Sequence, residues 1–129
     1  MKGCCSFMEL YQYIGGAPTI RKIVDAFYPK VQAHPLLAPL FPEDLTPIME
    51  KQYQFLTQFF GGPPMYTEKH GNPMMRARHF PFPITPSRAE AWLDCMKSAL
   101  EDVIPSEEMR AVILHRLSGP ARFFINTEE

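Results

Sequence analysis

Apolar residues recur at three- and four-residue spacing through most of the chain, and prolines and glycines break the pattern into segments. MELYQYIGG is a short amphipathic piece that stops at Gly15-Gly16. Pro18 starts a helix to about Ala33, with Ile20, Val24, Phe27 and Val31 as its apolar stripe. Tyr28 lies at the edge of that stripe, where its hydroxyl can face inward. HPLLAPLFPEDL is too rich in proline for a long helix; it predicts one helical turn around Leu36 to Leu40 and a bend carrying Phe41. Thr46-Pro47 caps a helix to about Phe60. Its expected inward face is Ile48, Gln52, Phe55 and Phe59, with Leu56 beside it, and a glutamine in such a stripe stands out. Gly61-Gly62-Pro63-Pro64 ends the helix, and MYTEKHG reads as a loop.

Asn72-Pro73 starts a short helix that must stop near His79, because Pro81 and Pro83 forbid its continuation. Thr85-Pro86, with Ser87 and Glu90 at capping-box spacing, starts another, along which Trp92, Met96 and Ala99 share a face. Pro105-Ser106-Glu107-Glu108 starts the last, with Ile113, Leu117 and Phe124 on its buried side. Gly119-Pro120 should kink or break it near its middle. FPFPIT looks strand-like, but its prolines exclude it. The pattern predicts an all-α chain forming a single domain over 1–129, with residues 1–8 a flexible N-terminal extension.

At 129 residues, 46% apolar and 21% charged, the chain can bury a real core. A net charge of −1 gives no field that favours nucleic acid or anionic membrane. No apolar run approaches the ~18 residues of a membrane span, and MKGCCSFMEL lacks the apolar core of a secretory signal. Cys4, Cys5 and Cys95 form neither a disulfide framework nor a zinc spacing. A reducing cytoplasm and unreactive thiols are the expectation. The 14 prolines sit at punctuation points rather than in a low-complexity tract, and the 8 methionines suit an adaptable apolar pocket or an ordinary core.

Of the 4 histidines, His79 has the surroundings that ask for a reason. In MMRARHFPFPIT it closes a short helix, with Met75 one turn earlier and Arg76 and Arg78 near it. The bland reading is a helix C-terminal cap that interacts with the macrodipole. The chemical one is a metal ligand, with one nitrogen on the metal and the other on a carbonyl. A single histidine cannot hold zinc, which needs three or four protein ligands. It can hold haem, whose macrocycle supplies four nitrogens and needs one axial imidazole. Haem also needs an apolar slot, for which the chain offers Phe41, Phe55, Phe82, Met75 and Met96, and cations for its propionates, for which it offers Lys51 and Arg78. Tyr28, Gln52 and Trp92 are each ordinary core residues taken singly. Together they put three polar tips on three apolar faces, a pattern suited to one polar spot inside a greasy pocket.

The chain resembles the group II (O-type) truncated haemoglobins from Tyr11 to about Phe124. The carriers are Gly15-Gly16, Phe27-Tyr28, HPLLAPLFP, KQYQFLTQFFGGPPMYTEKHG and, most specifically, MRARHFPFPIT and AEAWLDCM. The resemblance implies a shortened globin fold, a two-over-two helical sandwich around haem b (iron protoporphyrin IX). It makes His79 the proximal iron ligand, Tyr28 the distal tyrosine and Trp92 the tryptophan that marks the group. Gln52 lines the distal side, Ile48 faces the sixth coordination position, and Phe41 packs on the haem. Tyr66 joins Lys51 and Arg78 toward the propionates. Some relatives carry tyrosine where this chain has Phe41, which leaves Tyr28 and Trp92 as the main donors, and Ile48 makes the entrance more apolar.

Three functions follow as expectations. One is reversible binding of O₂ and other diatomic ligands (CO, NO), with slow O₂ release, for scavenging or sensing. Another is an enzyme, an NO dioxygenase or a peroxidase acting on peroxide, with an external electron-donating reductase because no flavin or nicotinamide motif is visible. The third is a helical interaction domain without cofactor, against which His79, Arg78 and Lys51 together count. Sulfide is a further candidate ligand, and the chain is expected as a monomer or homodimer.

Overall fold

The computed structural model describes residues 7–71 and 83–129, with side chains from Leu10 onward. The described residues form α-helices and one 3-10 turn, without a strand. The helices are α1 (Phe7–Tyr13), α2 (Gly16–Gln32), α3 (Thr46–Phe59), α4 (Met65–His70), α5 (Pro86–Val103) and α6 (Glu107–Phe123), and the 3-10 turn is Ala38–Leu40. None of the described helices is long and apolar enough to cross a membrane. The chain divides into two compact units, Met1–Asp25 with Asp44–Pro73 and Ala26–Glu43 with Met74–Glu129. The expected helix from Asn72-Pro73 to His79 lies outside the described residues.

α2 carries the stripe its spacing predicts: Ile20, Val24, Phe27 and Val31 are all 0% exposed. It begins at Gly16 rather than Pro18, because Gly15 (φ 105°) and Gly16 (φ 69°) reverse the chain in a left-handed conformation that only glycine adopts cheaply. Pro29 lies inside the helix, at an exposed position near its C-terminal end, where its missing N–H costs one bond.

In the first unit, the Tyr11 N–H donates to the Phe60 carbonyl at 2.9 Å and ties α1 to the end of α3. Gly62 lies so close that a Cβ there would meet the Tyr11 ring at 2.6 Å. Two expectations are corrected here. MYTEKH is a helix and not a loop. Six residues cannot sustain a helix alone, but this one has Glu68 in its first turn, Lys69 and His70 in its last, and Gly71 at φ 80° to end it. It also buries Tyr66 and is clamped by α3, as described below. The second correction concerns α3. The flank it buries is Gln54, Leu56 and Thr57, followed by Phe60, whereas the stripe Ile48, Gln52, Phe55 and Phe59 is only half-buried.

In the second unit, α5 buries Met96 and Ala99 as expected, and α6 buries Ile113 and Leu117. Phe124, expected on that side, is half-buried at the C-cap. The cap of α5 is Thr85, whose hydroxyl accepts from the Arg88 N–H at 3.1 Å. The expected Ser87/Glu90 capping box does not form, because Glu90 pairs with Arg122 of α6 at 2.9 Å. α6 runs through Gly119-Pro120 without a break. The proline ring disfavours helical dihedrals at the residue before it through clashes with that residue's N–H and Cβ, and Gly119 has no Cβ to clash. Past α6 the tail is tied back: the Asn126 N–H donates to the Ile84 carbonyl, and the Ile84 N–H donates to Asn126 Oδ1, each at 3.0 Å. Lys30 joins α2 to α5 through Asp102 at 2.8 Å.

Candidate ligand-binding site

In the second unit, Phe27, Tyr28, Phe41 and Trp92 form an aromatic cluster. Phe27 lies edge-on to Tyr28, with centroids 4.9 Å apart at 83°, and to Trp92, at 5.1 Å and 64°. Phe41 also meets Tyr28 edge-on, at 6.2 Å and 80°. Such edge-to-face pairs are favourable beyond the area they bury. Tyr28 is 4% exposed, yet its hydroxyl has no hydrogen-bond partner among the described residues. Burial alone pushes its phenol far above the usual range, so the group stays a protonated donor. The Trp92 indole N–H, on a half-buried ring, likewise has no partner among the described residues. A buried, unpaired donor costs about 1–3 kcal/mol, so the Tyr28 hydroxyl, with the half-buried Trp92 N–H on the same cluster, calls for a ligand. Met96, another residue expected to line the pocket, is fully buried one helical turn beyond Trp92 on α5.

The first unit carries a different face. Along α3, Phe55 and Phe59 stack at 5.7 Å and 23°, and Tyr66 of α4 meets Phe55 edge-on at 6.0 Å. Ile48 and Gln52 continue this half-buried strip toward the start of α3, and Lys51 beside it is exposed. The Gln52 amide has no partner among the described residues. Tyr66 itself is buried and also packs against His70 at 4.8 Å.

Two glutamines that carry no motif in sequence, Gln54 and Gln58, hold this unit together. Gln58 makes a two-point clamp on α4: its Nε2 donates to Thr67 Oγ1 at 2.7 Å, and its Oε1 accepts the Thr67 N–H at 2.9 Å. Gln54, 5% exposed, donates to the Glu50 carboxylate at 3.4 Å. A carboxylate only accepts, so this fixes the amide and turns Oε1 toward His70 Nε2 at 2.8 Å. His70 must therefore carry its proton on Nε2. Glu50 in turn accepts from Arg21 at 3.1 Å, and Arg21 lies 3.8 Å over the Tyr53 ring. The signal was available: glutamines four apart on one helix, facing Thr67 and His70 three apart on the next.

Tyr28, Trp92, Phe41 and Met96 thus fall in one unit, and Ile48, Lys51, Gln52, Phe55 and Tyr66 in the other. Met75, Arg78, His79 and Phe82 lie outside the described residues. Two of the other three histidines have structural partners, His70 with Gln54 and His34, whose Nδ1 accepts the Leu36 N–H at 3.2 Å; His115 is exposed. Cys95 is buried, and its thiol is pushed up by burial first, then by Asp94, with Lys30 opposing. It is a core residue.

The second unit thus offers two donors without a partner among the described residues on an aromatic cluster, and the first unit a half-buried stack of phenylalanines. The bacterial-like globin family model matches residues 9–124. The group 2 truncated hemoglobin YjbI of Bacillus subtilis (strain 168) is 52% identical over 124 residues, 96% of this chain and 93% of that one. The crystal structure of the group II truncated hemoglobin from Bacillus anthracis superposes with a TM-score of 0.90 at 50% identity, covering 93% of this chain and 98% of that one. The truncated oxygen-avid haemoglobin from Bacillus subtilis gives 0.86 at 53% identity, over 91% and 98%. The chain belongs to the bacterial-like globins and, among them, to the group II truncated haemoglobins. Its fold is the two-on-two globin fold, its cofactor is haem b, and its role is haem-based binding of diatomic gases such as O₂. The described residues fit that cofactor: an apolar strip suits a macrocycle face, and unpaired buried donors suit a polar diatomic ligand.

Proposed function

We propose that this protein binds O₂ reversibly and releases it slowly, in scavenging or sensing rather than bulk delivery. Two hydrogen-bond donors on one aromatic cluster, Tyr28 Oη and Trp92 Nε1, both without a partner among the described residues, carry the reading. When bound, haem supplies an iron that takes a diatomic ligand and leaves partial negative charge on it. Tyr28 and Trp92 donate to that charge. A hydrogen bond to a charged acceptor contributes about 1.5–3 kcal/mol, so each donor slows escape by roughly 10- to 100-fold. Gln52 is a further candidate donor, and Ile48 and Phe41 keep water out. In this reading His79 is the proximal ligand, and Met75 and Phe82 line the pocket with Phe55 and Met96. Arg78, Lys51 and Tyr66 hold the propionates. The name of the oxygen-avid Bacillus subtilis relative points the same way.

The second reading is enzymatic and rests on the same donors, which are also suited to polarising an O–O bond. Nitric oxide and O₂, with one electron from an external reductase, would give nitrate; peroxide would be reduced in the peroxidase version.

Stopped-flow O₂ release separates these. Slow release in the native protein, accelerated about tenfold or more in Trp92→Phe, is the expected result; equal rates would remove the tryptophan from the reading. Nitrate formation that continues with a reductase present favours the enzyme, and a single stoichiometric reaction favours plain binding. His79→Gly should weaken haem retention, read from the Soret band; full retention would end the proximal role.

A further inference from the structure

The Tyr28 phenol and the Trp92 indole make no polar bond to the described chain, so hydrogen bonds do not fix where they point. Ring packing must do it. Among the described residues one ring touches both: Phe27, 0% exposed, edge-on to Tyr28 at 4.9 Å and to Trp92 at 5.1 Å. Phe41 meets Tyr28 but has no ring contact with Trp92. Successive residues of a helix point about 100° apart. Phe27 can therefore face Trp92 of α5 while its flank braces the residue that follows it.

We infer that Phe27 is a positioning residue of the ligand site, a shared buttress that orients the Trp92 and Tyr28 donors together without reaching the ligand itself. This rests on the reading that those two groups donate to bound ligand. Its consequence is coupling: the two donors do not relax independently, because loosening Phe27 loosens both. A leucine at 27 keeps an apolar core but has no flat edge to set either ring.

The test is a cycle in the haem-loaded full-length protein. Phe27→Leu is made in the native background and in the Tyr28→Phe/Trp92→Phe background, and O₂ release is timed in each. Looser alignment of the two donors predicts roughly three- to tenfold faster release in the native background, equivalent to about 0.7–1.4 kcal/mol. No further acceleration is expected where both donors are gone. The same acceleration in both backgrounds would overturn the inference, since Phe27 would then act as plain packing.

A second readout bears on orientation without O₂. The chain has 1 tryptophan, so its ¹H–¹⁵N indole signal in the diamagnetic CO-saturated protein is assigned at once. Beyond the shift that the lost ring current alone gives, Phe27→Leu should split or broaden that signal; a single sharp signal overturns the inference. If the Tyr28→Phe/Trp92→Phe protein releases O₂ at the native rate, the donor reading fails, and the indole signal still decides whether Phe27 sets the ring. Should Phe27→Leu not fold, Phe27→Met, closer in volume, is read in the same two ways.

Discussion

The two units treat buried polar groups in opposite ways. In the first, Gln54 and Gln58 each have their amide oxygen and nitrogen engaged, and the result is a six-residue helix held in place. In the second, Tyr28 and Trp92 have aromatic bodies packed on Phe27 and polar tips without a partner among the described residues. A paired buried group stabilises the fold; an unpaired one costs stability and is kept only where something else uses it. The contrast therefore sorts structural polar residues from functional ones, and it does so better than residue type. Both kinds sit on largely apolar helix faces.

The contrast breaks most readily on ligand release. Tyr28→Phe combined with Trp92→Phe should speed O₂ release by roughly 100-fold or more, since two donors of about 1.5–3 kcal/mol each are lost. Stopped-flow timing checks it, and a change of less than tenfold would mean that the pair is not what holds the ligand. Stability should move the other way. Tyr28→Phe removes an unpaired hydroxyl, so urea unfolding should show no loss and a gain on the order of 1 kcal/mol.

Gln54→Leu should destabilise the protein by about 1–3 kcal/mol, because it strips His70 and Glu50 of a buried partner. If it were neutral while Tyr28→Phe was costly, the assignment of roles would be reversed. Gln58→Leu should cost less, about 1 kcal/mol, because the Thr67 N–H it abandons is exposed and water can replace the amide. The loss should appear as earlier proteolysis near α4, mapped by mass spectrometry, with O₂ release little changed.

Much of this was legible in the chain. The α2 stripe and the α5 and α6 faces follow from spacing, because each packs on protein, which rewards a continuous apolar row. α3 misled, because two of its faces are apolar. Its spacing predicts the stripe Ile48, Gln52, Phe55 and Phe59 as core, but the protein buries the neighbouring flank and leaves that stripe half-covered. Periodicity reports that a face is apolar, not what covers it. MYTEKH looks like a loop in sequence because its helix is made by tertiary clamps, Gln58 on Thr67 and Gln54 on His70, that no local window contains. Gly119-Pro120 misled because the glycine that looks like a second breaker relieves the clash of the first. Trp92 and Tyr28 were found by the company their motifs keep. Phe27, quoted beside Tyr28, stayed without a task, since a phenylalanine on an apolar stripe says nothing in sequence about which rings it will meet.

Alkaline pH gives the finest probe of the second unit. Burial raises the Tyr28 phenol far above its ordinary value of about 10. The unfolded chain releases that proton near pH 10, while the folded chain keeps it. Tyr28's contribution is therefore fully present below pH 10 and is lost as pH climbs beyond it, with a limiting slope of about 1.4 kcal/mol per pH unit. The other tyrosines titrate there too, so the native protein alone is not informative. The difference between it and Tyr28→Phe, followed by urea unfolding from pH 8 to pH 11, isolates the one group. The two curves should run parallel up to about pH 10 and diverge above it, the native protein falling faster. Curves parallel throughout would mean that the phenol is solvated in the folded state. Its donor would then not be the dry, protonated one that slow ligand release requires.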